Sequence, residues 1–164
     1  MGLFLSTYVN KVDKKGRVSI PAPFRSTLSA GLVAGTPTEM VVFPSLKAHA
    51  LDAAPLSYLE KLSDALDNPN MPDDERELIE TTVYGQSAQL TLDPEGRVIL
   101  PDHLMAFAGI TETVTFIGRR NTFQLWDPVA FAAHEQAVRE QARTNNISLS
   151  TVLAKAKGLA KGEG

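Results

Sequence analysis

The stretch DKKGRVSIP, residues 13–21, returns 80 positions later as DPEGRVILP, residues 93–101. Aspartate, glycine, arginine, valine and proline recur in register and fill five of the nine positions. The chain is therefore most simply interpreted as one structural unit written twice.

Each nonamer has the composition of a tight turn followed by a short strand. Asp13 can accept hydrogen bonds from main-chain N–H groups just after it and so start the turn. Gly16 can adopt the positive φ that a tight reversal often needs. Val18 to Ile20 alternate apolar, polar and apolar, as a half-buried strand does. Pro21 ends the strand because it has no N–H for the ladder.

The second copy keeps the turn-forming residues as Asp93 and Gly96, and in both copies the next residue is an arginine, Arg17 or Arg97. A single copy would be an ordinary surface hairpin with a solvated guanidinium. Since a hairpin does not need an arginine there, its recurrence indicates a role beyond folding.

Composition is that of a globular protein without cysteine chemistry. The 164 residues are 43% hydrophobic and 21% charged, and none is cysteine, which excludes disulfides and thiolate sites. Two units of roughly 45–60 residues are small for independent cores, so we expect them to pack together or to oligomerise. No apolar run approaches the roughly 18 residues of a membrane span, and no signal peptide is recognisable. We therefore expect a cytoplasmic protein without a membrane partner.

Charge is segregated along the chain. Residues 1–35 carry five basic residues against one acidic residue, whereas residues 52–80 carry nine acidic residues against two basic ones. A basic first unit on an acidic body predicts a local anion-binding face. The acidic segment is typical of a solvated helix face, because it contains no metal-ligand spacing.

Hydrophobic periodicity predicts the same element order in both units: a β-turn-β hairpin, a short helix, a second hairpin and a helix. In the first unit, the second hairpin would join residues 32–34 to residues 40–43. A short helix would follow within residues 44–54, and an amphipathic helix would cover residues 56–66. Phe43-Pro44 and Trp126-Asp127 would end corresponding strands of the two units.

Motifs of catalysis are missing from the sequence. None of its three histidines lies in an H-x-x-x-H pair, and no nucleophile elbow, phosphate loop or dinucleotide fingerprint occurs. Asp13 and Asp93 could be imagined as a carboxylate pair, but turn formation explains both. We therefore expect no enzymatic activity.

With these residues in view, the sequence resembles the MraZ family of bacterial transcriptional regulators, which are built from two AbrB-like (SpoVT-AbrB) swapped-hairpin units. The residues that carry the match are Asp13 to Arg17 with Pro21 and Arg25, Asp93 to Arg97 with Pro101, and FQLWD at 123–127. The resemblance covers about residues 4–143. Two ordered copies of D-x-x-G-R are far more specific than one.

The resemblance implies an α+β, mainly β fold: a double-psi or swapped-hairpin β-barrel formed by two tandem repeats, with flanking helices. The implied divisions are a first repeat at 4–54, a helical connector at 55–84, a second repeat at 85–131, and a C-terminal helix with a mobile basic tail at 132–164. Chains would assemble side by side into a ring.

The resemblance also implies a sequence-specific DNA-binding regulator, mainly a repressor, of the division and cell-wall gene cluster that contains its own gene. It would bind spaced direct repeats in double-stranded promoter DNA and associate with the nucleoid. Neither a metal, a cofactor nor a small-molecule substrate is expected.

The chemistry of the repeated motif agrees with this expectation. The guanidinium fork of Arg17 can bond guanine O6 and N7, which is worth roughly 1–3 kcal/mol of discrimination. Lys11, Lys14 and Lys15 would neutralise phosphates, which sets orientation and salt dependence rather than sequence preference. Weak contacts from the subunits of a ring would add up on repeated DNA.

The second repeat departs from this pattern, because Pro94 and Glu95 stand where the first repeat has Lys14 and Lys15. A carboxylate beside a phosphate is repulsive, so Arg97 either contacts DNA or pairs with a carboxylate within the fold. Arg25 likewise fits either a phosphate contact or a structural salt bridge.

An alternative of another class stays open: a ring-shaped interaction module that binds a protein partner through its acidic helices at 56–80. Arg17→Ala would abolish activity in a DNA-binding regulator and leave it nearly intact in such a module.

Overall fold

The computed structural model describes residues 2–162, with side chains described as far as residue 159. The chain divides into two compact units, Met1–Pro128 and Val129–Gly164. Residues 163–164 of the predicted tail, and the side chain of Lys161, lie outside the described part.

The first unit contains eight strands and four helices among its described residues. In chain order they are β1 Thr7–Lys11, β2 Arg17–Ser19, α1 Ala22–Ser29, β3 Glu39–Pro44, β4 Leu51–Ala54, α2 Leu56–Leu66, α3 Asp73–Thr82, β5 Ala88–Thr91, β6 Arg97–Ile99, α4 Asp102–Ala108, β7 Thr113–Gly118 and β8 Phe123–Trp126. A 3₁₀ turn, Tyr84–Gln86, precedes β5.

Six strands form one antiparallel sheet in the order β1-β7-β8-β4-β3-β5. Its hydrogen bonds join the two halves of the sequence, because β1 pairs with β7, β4 with β8, and β5 with β3. Strands β1 and β5 remain as edges, so within residues 2–162 the sheet does not close into the expected barrel.

The remaining two strands, β2 and β6, form a separate antiparallel ribbon built from the repeated nonamers. Val18 and Val98 lie opposite each other at its centre, and both are buried. Beyond the strands, Ile20 N–H donates to the carbonyl of Gly96 and Leu100 N–H to that of Gly16, each at 2.9 Å. The two turns therefore lie at opposite ends of one ribbon.

The larger core lies between one face of the sheet, the ribbon, α1 and α4. Its aromatic centre is Phe24, whose ring lies 5.5 Å from Phe4, 6.4 Å from Phe116 and 4.8 Å from Phe123. Val18 and Val98 belong to the same cluster, so the ribbon is anchored to the core by its inward face. Such anchoring holds the turns on a rigid base.

A smaller core lies on the other face of the sheet. Val41 and Phe43 of β3 pack with Leu59 of α2 and with Val83, which follows α3. Leu78 of α3 is 52% exposed. The carboxylates of α3 are exposed, as expected for a solvated face.

Several predicted elements are confirmed. Helix α1 follows Pro21 and buries Phe24 and Leu28, and α2 covers the predicted residues 56–66. Helix α4 ends at Gly109, which takes the left-handed conformation at φ +66°.

Four predictions about the strands and helices are wrong. Neither β-turn-β segment forms a hairpin, because β1 pairs with β7, β5 with β3, and β2 with β6. Val18 and Val98 are buried opposite each other, so the strand after each turn pairs between the repeats and not within one. The segment expected to contain a short helix at 44–54 ends in strand β4, and no strand forms at 32–34. Phe43-Pro44 ends β3, whereas Trp126 ends β8, so these pairs do not close corresponding strands. The physical reason is burial: Leu51, Ala53 and Ala54 are fully buried in the sheet, which overrides the helix propensity of alanine.

The second unit consists of α5 Pro128–Thr144, which begins at the last residue of the first unit, and α6 Leu149–Gly162. Between them, Asn146 adopts φ +56°. The Ser148 hydroxyl accepts a hydrogen bond from Thr151 N–H at 3.2 Å, which caps the start of α6.

The fold class is α+β, as predicted. The further expectation of a mainly β chain is wrong, because the six helices hold more residues than the eight strands within residues 2–162. None of the described helices is long and apolar enough to cross a membrane.

Candidate nucleic-acid interface

The first turn, residues 13–17, is organised by one carboxylate. Asp13 Oδ1 accepts hydrogen bonds from the main-chain N–H groups of Lys15 and Arg17, each at 2.9 Å. Asp13 Oδ2 accepts a third hydrogen bond from Arg17 Nε at 2.7 Å. Gly16 closes the turn at φ +81° and donates to the Asp13 carbonyl. The aspartate thus shapes the turn and orients the arginine at once.

The Arg17 guanidinium is held by Asp13 through its Nε. Within residues 2–162, its Nη1 and Nη2 make no hydrogen bond, so the outer edge of the guanidinium remains available. Lys14 and Lys15 are exposed and form no ion pair in the described part of the chain, and Lys11 is exposed at the end of β1. The first turn therefore presents an oriented fork among free cationic side chains.

The second turn, residues 93–97, repeats this scaffold. Asp93 Oδ1 accepts hydrogen bonds from the main-chain N–H groups of Glu95 and Arg97 at 2.9 Å, and Asp93 Oδ2 accepts from Arg97 Nε at 3.0 Å. Gly96 lies at φ +80°. The two backbones are therefore equivalent, and the turns differ in what surrounds the arginine.

Arg97 carries a second carboxylate partner. Its Nη2 lies 3.3 Å from Glu95 Oε2. The side chains of Arg97 and Arg17 are similarly exposed, at 35% and 39%, so pairing rather than burial distinguishes them. The structure thus shows the carboxylate pairing that the sequence left open for Arg97.

Arg25 of α1 also reaches the second turn. Its Nη1 donates to the main-chain carbonyl of Glu95 at 3.0 Å. The side chain covers Gly96 so closely that a Cβ at that glycine would collide with it. Within residues 2–162, Arg25 forms no salt bridge with a carboxylate. Its hydrogen bond is to the main chain.

Hydrogen bonding makes both turn aspartates more acidic. The main-chain N–H of Arg17 is the largest cause that lowers the pKa of Asp13, and the hydrogen bond from its guanidinium adds to it. The main-chain N–H of Arg97 does the same for the pKa of Asp93. The hydrogen bond to Asp93 raises the pKa of Arg97. All three groups are therefore charged at neutral pH.

The outward face of the ribbon connects the two turns. Because Val18 and Val98 point into the core, their neighbours Arg17, Ser19, Arg97 and Ile99 face outward. Arg17 lies opposite Ile99, and Ser19 lies opposite Arg97. The outward position of Ile99 was not predicted from the sequence, since Val98, Ile99 and Leu100 are all apolar and show no alternation. Alignment of these residues with Val18, Ser19 and Ile20 of the first repeat would have indicated that Ile99 faces outward, as Ser19 does.

The structure brings the predicted basic residues together in two groups. Lys14, Lys15 and Arg17 belong to the first turn, while Arg25 and Arg97 meet at the second. No cluster of three or more histidine, aspartate or glutamate side chains suited to a metal ion occurs among residues 2–162.

An oriented guanidinium and exposed lysines at the end of a two-stranded ribbon are chemically suited to DNA, since such a ribbon fits the major groove. Residues 83–151 match the family model MraZ, described as "MraZ protein, putative antitoxin-like". Transcriptional regulator MraZ of Rickettsia akari (strain Hartford) is 38% identical over 149 residues, which cover 91% of this chain and 97% of that protein.

Proteins of the same name from Rickettsia felis (strain ATCC VR-1525 / URRWXCal2) and Rickettsia bellii (strain OSU 85-389) are 37% and 35% identical, again over 91% of this chain and 97% of each protein. The chain belongs to the MraZ family of transcriptional regulators. This membership confirms the identification made from the two D-x-x-G-R motifs, and the family is not one of enzymes.

Proposed function

We propose that this chain is a sequence-specific DNA-binding transcriptional regulator that mainly represses the division and cell-wall gene cluster containing its own gene. It binds spaced direct repeats in double-stranded promoter DNA through the first turn, and it acts in the cytoplasm at the nucleoid. The observation that carries the proposal is the Arg17 guanidinium, which Asp13 orients through Nε and whose outer nitrogens make no hydrogen bond within residues 2–162.

Arg17 supplies base readout in this proposal. A bidentate contact to guanine needs two N–H groups in a fixed plane, and Asp13 fixes that plane before DNA arrives. Pre-orientation reduces the entropy lost on binding. The residue acts from a ribbon whose inner face is buried, so the fork is carried by a rigid element.

Lys11, Lys14 and Lys15 supply phosphate contacts in this proposal. All three are exposed. Each phosphate neutralised adds about −0.9 to the slope of log K against log salt, so three such contacts give a slope of roughly −3 per subunit. Binding should therefore weaken steeply as salt rises.

In this proposal Arg97 and Arg25 stabilise the second turn and do not contact DNA. Glu95 pairs with Arg97, and its carbonyl accepts from Arg25. The carboxylate would also repel a phosphate. This arrangement supports one DNA-contacting turn per chain.

Assembly completes the proposal. The pairings of β1 with β7 and of β5 with β3 support two interleaved swapped-hairpin repeats at 4–54 and 85–131, joined by the helical connector at 55–84. The C-terminal segment at 132–164 follows them in the sequence. Two open sheet edges favour association with further chains. A ring of such chains raises affinity on repeated sites through effective concentration.

Fluorescence anisotropy on DNA from the region upstream of the chain's own gene tests the proposal. Wild type, Arg17→Ala and Arg143→Ala would be titrated onto this DNA and a scrambled duplex across a salt series. Arg143 is the matched control, because it is an exposed arginine of α5 that pairs with nearby Glu140.

We expect wild type and Arg143→Ala to prefer the upstream DNA and to weaken with salt, whereas Arg17→Ala loses the preference. Equal binding of wild type to both duplexes, or an unchanged preference in Arg17→Ala, would refute the proposal.

The second candidate is an interaction module that binds a cationic protein partner through α2 and α3. Leu78, 52% exposed among the carboxylates of α3, favours it. Regulation that survives Arg17→Ala and is lost in Leu78→Glu would select this function instead.

A further inference from the structure

Ile99 is a large apolar side chain on the outward face of the ribbon, beside the proposed DNA-contacting turn. It is 60% exposed, whereas its neighbours Val98 and Leu100 are buried. It lies directly opposite Arg17 in the ribbon. Its Cγ2 lies 3.8 Å from where a Cβ on Gly16 would stand, so the side chain borders the first turn.

Folding does not account for an isoleucine at this position. The register of the two repeats places Ser19 at the equivalent site, where it lies opposite Arg97. A serine therefore satisfies the same strand geometry on the same face of the ribbon. The apolar residue occurs beside the first turn, whose arginine pairs with the turn aspartate, Asp13. The polar one occurs beside the second turn, whose arginine pairs with Glu95 in addition to its turn aspartate.

The chemistry of the major groove identifies what such a side chain can bind. Base edges there present hydrogen-bond donors and acceptors, and the apolar feature is the C5-methyl group of thymine. Isoleucine offers only methyl and methylene groups. Because Ile99 lies beside a guanidinium suited to guanine, its methyl groups suit a contact with a thymine methyl at a neighbouring base step.

Distances in the ribbon and in DNA are compatible. Directly opposed residues have Cβ atoms about 4.5–5.5 Å apart, and successive bases on one strand rise by about 3.4 Å. Contacts from Arg17 and Ile99 therefore fall within one or two base steps of each other.

We propose that Ile99 is a base-contacting, specificity-determining residue that packs against the C5-methyl of a thymine next to the base bound by Arg17. This inference rests on the proposed function, since it requires the ribbon to enter the major groove. It adds a second readout, apolar in character, contributed by the second repeat to the site of the first.

Single-position base analogues test the inference. In duplexes from the region upstream of the chain's own gene, each thymine in turn is replaced by uracil, which lacks only the methyl group. Each guanine is replaced by 7-deazaguanine, which lacks the N7 acceptor. Affinities are measured for wild type, Arg17→Ala, Ile99→Val and Ile99→Ser, the last of which copies the first repeat.

We expect wild type to lose about fourfold in affinity at one thymine, the factor that corresponds to burying one methyl group. We expect one guanine at which 7-deazaguanine weakens binding of wild type but not of Arg17→Ala. The sensitive thymine should lie within two base steps of that guanine. Ile99→Val keeps part of the methyl effect, and Ile99→Ser shows none while still responding to 7-deazaguanine.

Two results would overturn the role of Ile99 and leave the proposed function standing: guanine sensitivity without any thymine sensitivity, or the same methyl effect in Ile99→Ser. A lower assembly mass of Ile99→Ser in light scattering, with unchanged base preference, would assign Ile99 to contacts between chains instead. If wild type does not prefer the upstream DNA, both the inference and the proposed function fail.

Discussion

The variants Gly16→Ala and Gly96→Ala distinguish the contribution of each turn to stability from its contribution to DNA binding. Gly16 and Gly96 have φ of +81° and +80°, so an alanine meets the same backbone strain at either position. Their surroundings differ. A Cβ on Gly16 would lie 3.0 Å from the main-chain oxygen of Leu100, whereas one on Gly96 would collide with the Arg25 side chain.

An L-residue held in the left-handed region costs roughly 1–2 kcal/mol. At Gly16 the close oxygen belongs to the ribbon backbone, so the turn must also shift. At Gly96 the flexible Arg25 can swing away and give up its hydrogen bond to Glu95. We expect each variant to lose about 1–2 kcal/mol of stability and about 2–8 °C in Tm.

DNA affinity should separate the two variants. Gly16→Ala displaces the turn that orients Arg17, so affinity should fall about fivefold to thirtyfold, the factor for 1–2 kcal/mol. Gly96→Ala should leave affinity unchanged. Thermal unfolding by circular dichroism and anisotropy on the upstream duplex measure the two effects. Equal losses of affinity in the two variants would contradict the assignment of DNA contact to the first turn. No loss of stability in either variant would contradict the backbone strain expected at the two glycines.

Three further predictions concern stability. Leu104→Ala should lower the free energy of unfolding, measured in urea, by about 2–5 kcal/mol, because Leu104 is fully buried. Phe107 is 36% exposed, so Phe107→Ala should lower the free energy of unfolding much less. Equal losses in the two variants would contradict the assigned core. Hydrogen bonds lower the pKa of Asp13 and Asp93, so their stabilisation is complete above the unfolded value of about 3.9 and lost as the pH falls through the lowered values. Carboxyl NMR titration showing unshifted midpoints would contradict this. Burial raises the pKa of Asp52, so the charged form of this side chain destabilises the fold as the pH rises. Asp52→Asn should therefore raise Tm at neutral pH and leave it unchanged near pH 3. A rise in Tm near pH 3 but not at neutral pH would contradict the raised pKa of Asp52.

Local patterns in the sequence predicted most elements of the first unit. Proline before α1 and glycine after α4 mark helix ends by local chemistry, and the leucines of α2 follow helical periodicity. Such features need no knowledge of distant residues.

Strand β4 was not predictable in this way. Residues 48–54 include alanines at four positions, which favour a helix in isolation. Their strand conformation depends on β3 and on β8, which lies more than 60 residues later. Long-range pairing therefore decided the element.

The candidate site was predictable to the extent that it is local. Asp13, Gly16 and Arg17 form a turn within five residues, and the sequence indicated each role. The contact of Arg25 with Glu95 spans 70 residues and depends on the placement of α1. The position of Ile99 opposite Arg17 depends on ribbon register, which no single stretch of sequence contains.

Site-specific crosslinking would show which of the two turns contacts DNA. A photo-crosslinking amino acid would replace Lys14 in one variant and Pro94, its equivalent, in another. Both would be irradiated at saturating protein on the upstream duplex and the scrambled duplex. We expect crosslinks from position 14 at defined bases of the upstream duplex, with little from position 94. Crosslinks of equal strength from both turns, or from position 94 alone, would contradict the proposal that the first turn alone contacts DNA.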